Sequence, residues 1–205
     1  MAVPERFAPD MAFRFVGGDP SLDFVNTADW TRRGLECDRL TSYDRLIEWA
    51  RGAGLLRPSH ARRLHRAAVR HPRLAAATLV AAHEMRDVLM AVFAATIARR
   101  RSALALERLN ALFTDAAVHM RVVRDPRGGL QHGWAGLGES PESLLWPVVS
   151  STVDLLASPE ARKLRMCAGR DCGWLYVDRS RNGLRRWCEM RVCGTAEKNR
   201  RRVRR

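Results

Sequence analysis

The 205-residue sequence predicts a mainly α-helical protein with a small β-hairpin, an α+β arrangement. A larger helical domain carries a small C-terminal module built on four cysteines and closed by a basic helix. Three observations lead there. Apolar residues recur at three- and four-residue spacing through much of residues 41–117, the period of a helix. The period changes over residues 119–134, where two short extended runs flank the turn-forming Asp125-Pro126-Arg127-Gly128-Gly129. Four of the five cysteines cluster between Cys167 and Cys193.

In chain order, Phe13 to Thr27 (FRFVGGDPSLDFVNT) sets Gly17-Gly18 between two apolar stretches, predicting a short strand, a turn and then a helix or second strand. Tyr43, Leu46, Ile47, Trp49 and Ala50 mark a helix from Thr41 to Ala53, with Gly52 and Gly54 suited to ending it. Pro58 to Arg70 reads as the next helix. From Arg73 to Arg99 one stripe carries Val88, Leu89, Val92, Phe93 and Ile97, and Leu106, Leu109, Leu112 and Phe113 continue the theme after Ser102. These two helices are expected to form the core. His119–Arg124 and Leu130–Trp134 make the hairpin. Ser140 as N-cap and Pro141 at the first helical position begin a helix whose inner face is Leu145, Val148, Val149, Thr152 and Leu156, stopping near Ser158-Pro159. The boundary falls near Glu160 to Arg165, giving domains 1–160 and 161–205.

The formal net charge is +14, and it is unevenly placed: residues 160–205 carry 15 Lys/Arg against 5 Asp/Glu, residues 1–159 carry 21 against 17. Such concentration points to a polyanionic partner. Glu5, Arg6 and Asp10 interrupt any signal-peptide run, and no segment offers 18 apolar residues together, so a cytoplasmic protein without a membrane partner is expected. In a reducing compartment clustered cysteines serve metals more often than disulfides, and the distant Cys37 reads as an ordinary free thiol.

Cys167, Cys172, Cys188 and Cys193 form two C-x4-C pairs separated by fifteen residues. Two close pairs on a chain that folds back once suit a tetrahedral ion, and no histidine follows His132. One structural Zn²⁺ on four thiolates is the expectation, with free or redox-active thiols as the alternative left by the long x4 loops. Four thiolates and one Zn²⁺ sum to −2, leaving the region at about +8. Trp174, Tyr176 and Trp187 either stack on bases or form the miniature core of the module, and the core use is favoured.

Arg179, Arg181, Arg185 and Arg186 lie in the loop between the cysteine pairs, where guanidinium groups can reach phosphates or guanine edges. Thr195 is the expected N-cap of a last helix bearing Lys198, Arg200, Arg201, Arg202, Arg204 and Arg205. These cations are the candidate nucleic-acid contacts, and a solvated basic tail is the bland alternative.

The segment CAGRDCGWLYVDRSRNGLRRWCEMRVCG, Cys167 to Gly194, closely resembles the CGNR-type zinc finger of bacterial proteins. Gly17-Gly18, Leu22-Asp23-Phe24-Val25-Asn26-Thr27 and Leu144-Leu145-Trp146-Pro147 resemble the ABATE domain that accompanies this finger, described as a putative stress-induced transcription regulator. The resemblance implies a helical N-terminal domain, a four-cysteine zinc site and a DNA-binding role in transcription. The chain departs from the family signature in having Thr195-Ala196 after Cys193-Gly194, where the family has Asn-Arg. Thr195 can still cap a helix, but Ala196 cannot replace an arginine at a phosphate.

On this reading the helical domain senses a small-molecule effector or forms a homodimer, and the finger binds DNA. The sensing expectation rests on Asp23, Asn26 and Thr27, with Arg86 or His83 as partners on the long helix. Satisfying turn or cap backbone groups is the competing use of such residues. The alternative function is a zinc-stabilised protein- or RNA-interaction module with only non-specific polyanion binding. An enzyme is not expected, because no phosphate-binding glycine loop, HExxH pair or recognisable nucleophile motif is present.

Overall fold

A computed structural model describes residues 12–31, 34–125 and 127–203. The described residues form helices α1 (Pro20–Val25), α2 (Tyr43–Gly52), α3 (Pro58–Arg70), α4 (Pro72–Ile97), α5 (Ala103–Ala117), α6 (Trp146–Ala157) and α7 (Thr195–Val203). Three two-stranded antiparallel hairpins accompany them: β1 (Ala28–Thr31) with β2 (Gly34–Asp38), β3 (Met120–Arg124) with β4 (Leu130–Trp134), and β5 (Leu164–Met166) with β6 (Leu175–Val177). The mainly helical α+β class is therefore as the sequence predicts.

Helix α4 is the hub, touching α1, α2, α3, α5, β5 and the 3₁₀ turn Pro141–Leu144. Its inner stripe runs Ala75, Thr78, Ala82, Met85, Leu89 and Val92, alternating three- and four-residue steps that keep one face toward the core, with Phe93 beside Val92. Pro72 at its start and Arg99, in the left-handed region at φ 53° just past its end, set its limits. Helix α6 closes the core against α5 and α1 with Val148, Val149 and Leu155.

Three expectations need correction. Among the described residues no strand precedes α1; Asp19 accepts a hydrogen bond from Ser21 N at 2.9 Å and Pro20 follows, so the chain enters a capped helix directly from an extended segment. Leu106 is 53% exposed and leaves the stripe, whereas Leu109 is buried, Leu112 and Phe113 pack against the core as predicted, and Ala105 and Ala116 complete the inner face of α5. Thr195 is not an N-cap: a π-helical turn, Met190–Gly194, already carries the chain into α7, and the Thr195 hydroxyl donates back to Met190 O at 3.2 Å. That early start seats Cys193 inside the helical turn.

Candidate metal centre and the surface around it

Strands β5 and β6 form a short hairpin whose loop holds the first cysteine pair. Cys167 follows β5 and donates its N–H to Trp174 O at 2.8 Å, while Cys172 N reaches Gly169 O at 3.2 Å, folding the x4 loop into a tight turn. The second pair arrives from two directions: Cys188 at the end of the arginine-rich loop, Cys193 from the π turn. Ala168 N donates to Arg186 O at 2.9 Å and ties the two loops together.

The four Sγ atoms all lie within 4.8 Å of one another. Cys172 and Cys188 sulfurs are 3.7 Å apart and those of Cys188 and Cys193 3.6 Å. Tetrahedral zinc with sulfurs about 2.3 Å away needs ligand-to-ligand separations of about 3.8 Å. A disulfide, at about 2.05 Å, is far shorter, and none of the five cysteines is in one. The donor set and its spacing thus fit one Zn²⁺ in a closed structural site. Gly169 N and Cys188 N point at the Cys167 sulfur from 3.4 and 3.3 Å, neutralising part of the thiolate charge. Trp174, Tyr176 and the cysteines pack as a separate cluster, with Trp187, Val192 and Val16 at its edge, so the aromatics serve as core.

Val16 belongs to the far end of the chain, and it is one of many contacts that seat the zinc module on the helical domain. The Asn26 side chain donates to Leu175 O at 2.9 Å and accepts from Leu175 N at 2.8 Å, pairing with β6 as a neighbouring strand would. Val177 N donates to Gly17 O at 2.8 Å, Trp174 Nε1 to Ala28 O at 3.2 Å, and Gly173 N to Trp30 O at 2.6 Å. Gly173 is required at that approach, because a Cβ there would lie 2.9 Å from both the Trp30 carbonyl oxygen and its Cβ. Leu164, Leu175 and Val177 belong to the main core.

The polar cluster Asp23, Asn26, Thr27 and Arg86 is engaged by the protein itself, the turn-and-cap use that the sequence offers beside a ligand role. Asp23 accepts from Gly17 N at 2.8 Å; burial pushes its carboxyl up to about 6, against the lowering effect of the Gly17 and Val16 amides. Thr27 donates to Phe24 O at 2.6 Å and accepts from Arg86 Nη1 at 3.1 Å. Buried Arg86 forks onto Asp38; burial alone would raise the Asp38 carboxyl, but the Arg86 hydrogen bonds and charge outweigh it and hold it low. His83 lies near the same pair, its ring nitrogen 3.0 Å from Leu40 O.

The arginines of the module divide in two. Arg179 straps the join, bonding Glu160 through Nε at 2.8 Å and Nη2 at 2.5 Å and Gly18 O at 2.8 Å. Arg185 stacks over the Tyr176 ring at 4.2 Å and donates to the carbonyls of Trp187, Val16 and Cys188. Arg200 holds Asp171 and Glu197, each at 3.1 Å. By contrast the side chains of Arg181, Arg186, Lys198 and Arg202 are exposed and make no hydrogen bond or salt bridge among the described residues; Arg186 lies over the Trp187 ring at 5.4 Å. The Arg201 side chain and residues 204–205 lie outside the described residues.

A helical domain with a four-cysteine finger seated on its first helix makes a two-part protein with a structural metal site. Residues 18–159 match ABATE, whose description reads "Putative stress-induced transcription regulator", and the chain belongs to this family. Residues 163–205 match the CGNR zinc finger. Neither is an enzyme family, and no curated protein matches the chain. No helix among the described residues is long and apolar enough to cross a membrane.

Proposed function

We propose that this protein is a cytoplasmic transcription regulator that binds DNA through its zinc module. The observation that carries the reading is the set of unpartnered cations on a framework fixed by the metal: Arg181 and Arg186 on the loop between the cysteine pairs, Lys198 and Arg202 one turn apart on α7. Cations with no acid to answer them are free to neutralise phosphates, whereas Arg179, Arg185 and Arg200 shape the module that presents them.

The helical domain is the sensing or dimerising half. Its open groove of about 700 Å³ between α4 and α5 has Met85, Val88 and Leu112 on its walls and Glu84, Arg108 and Asp115 among them. An apolar site with a few charged groups suits a small amphipathic effector. Two copies about a two-fold axis would read a palindromic site.

The test is selection of genomic fragments by the zinc-loaded protein at about physiological salt with excess competitor DNA. Enrichment of a defined sequence, palindromic if the protein is a dimer, establishes the regulator. Salt-sensitive retention without enrichment moves the assignment to a zinc-stabilised interaction module.

A further inference from the structure

Averaged over residues 1–159 the charge excess is small, but between Glu48 and Glu84 there are seven arginines and not one carboxylate. Arg51, Arg57, Arg62, Arg63, Arg66, Arg70 and Arg73 therefore match half of the protein's formal +14 within one short stretch of the helical domain. All seven are exposed. Among the described residues only the Arg63 side chain makes a hydrogen bond, to Leu137 O at 2.7 Å, and none forms a salt bridge.

Their centre is α3, which buries only Ala61, Leu64 and Ala67 and turns the rest of its surface outward. Arg62, Arg66 and Arg70 follow one another at four-residue spacing, so they share a stripe that climbs about 12 Å along the axis. One strand of duplex DNA offers a phosphate every 3.4 Å or so of axis, and the stripe spans about three of them. Beside it an open groove of about 650 Å³ runs between α3 and the turn at Gly138, walled by Arg63, Arg66 and Arg70 with Glu139 as the single carboxylate. Like charges one turn apart destabilise a helix, and cations near its N-terminus oppose its dipole. No salt bridge among the described residues answers these arginines, so an anionic partner laid along the stripe would relieve the repulsion.

We propose that α3 is a second phosphate-binding surface, on the helical domain and separate from the zinc module, which grips the nucleic-acid backbone. This rests on the DNA-binding reading above and extends it: the regulator holds its target with both parts of the chain.

The test compares salt dependence of DNA binding by the zinc-loaded full chain with that of Arg62→Gln/Arg66→Gln/Arg70→Gln. The log-log slope is expected to shrink by about 2 to 3, since each lost phosphate contact removes about 0.9. The corresponding triple lysine variant, which keeps the charges, is expected to retain most of the slope. A control of equal charge, Arg99→Gln/Arg100→Gln/Arg101→Gln, removes three exposed arginines elsewhere. Equal slopes for the α3 variant and this control overturn the proposal while leaving DNA binding intact. A wild-type protein with no DNA affinity overturns the DNA reading and this surface with it. Loss of slope in the α3 variant but none in Arg181→Gln/Arg186→Gln supports the α3 surface and removes the finger loop from the interface.

Discussion

Asn26 and Leu175, 149 positions apart, are joined by two hydrogen bonds of 2.9 and 2.8 Å that use both ends of one side-chain amide. A residue at the end of α1 thereby completes the edge of a strand in the zinc module. Asn26→Ala leaves a buried N–H and a buried C=O without partners, and the expected cost is about 2 to 4 kcal/mol. Denaturant unfolding of the zinc-loaded protein measures it, and a loss below about 0.5 kcal/mol would mean that β6 finds its bonds elsewhere.

Gly173→Ala drives a Cβ against the Trp30 backbone 2.9 Å away, where no flexible side-chain end can yield. The join is expected to open or shift, costing about 1 to 3 kcal/mol. Limited proteolysis across residues 158–165 provides the measurement, with faster cutting in the variant as the expected outcome.

Asp23 introduces a pH dependence of known sign. Its folded-state carboxyl sits at about 6 because it is buried, above its ordinary value of 3.8. Its contribution to stability is full below pH 4 or so and is lost as pH rises through 6. Asp23→Asn keeps an oxygen for Gly17 N and stays neutral throughout. The variant should therefore gain on wild type as pH rises from about 4 to 6 and hold a constant advantage of about 3 kcal/mol above that. Both proteins share any acid loss of zinc, so the difference between their unfolding free energies isolates the carboxyl.

Arg185 and Arg186 are neighbours with separable duties. Arg185→Ala removes a guanidinium that donates to the Cys188 and Trp187 carbonyls beside the metal site, and zinc affinity is expected to fall about tenfold or more in competition with a chelating dye. Arg186→Ala should keep wild-type zinc affinity and weaken DNA binding alone.

Chelating the metal removes the ion that orders residues 167–194, an interaction of about 10 to 16 kcal/mol in finger peptides. Leu164, Leu175 and Val177 lie in the main core, so the effect is expected to spread. Calorimetry should show a lowered, broadened transition for the helical domain; an unshifted one would establish that the two parts fold independently.

Helix spans were readable where period and punctuation agree: Pro58 and Arg70 bound α3 as the sequence places them, and α2 lies within the predicted Thr41–Ala53 span. The cysteine cluster was equally legible, since ligand type and spacing are themselves the chemistry. What the sequence concealed was long-range. The strands β5 and β6 are three residues each, too short for a period, and β6 owes one edge to Asn26. Asp23, Asn26 and Thr27 look like a ligand cluster for the same reason they make a join: short polar groups that satisfy backbone. The basic face of α3 is hidden in the net charge of residues 1–159, where distant acids cancel it.

Val16 packs against the aromatic cluster of the finger, and the Arg14 guanidinium pairs with Glu189 across the same seam. The finger is thus a discontinuous unit, assembled from both ends of the polypeptide. A fragment cut at residue 163 would expose Trp174 and Tyr176 on the side that the N-terminal segment covers, and would be a poor stand-in for the intact protein. Biochemistry on the isolated finger should carry residues 12–31 with it, supplied in trans or by fusion, so that the missing wall is restored.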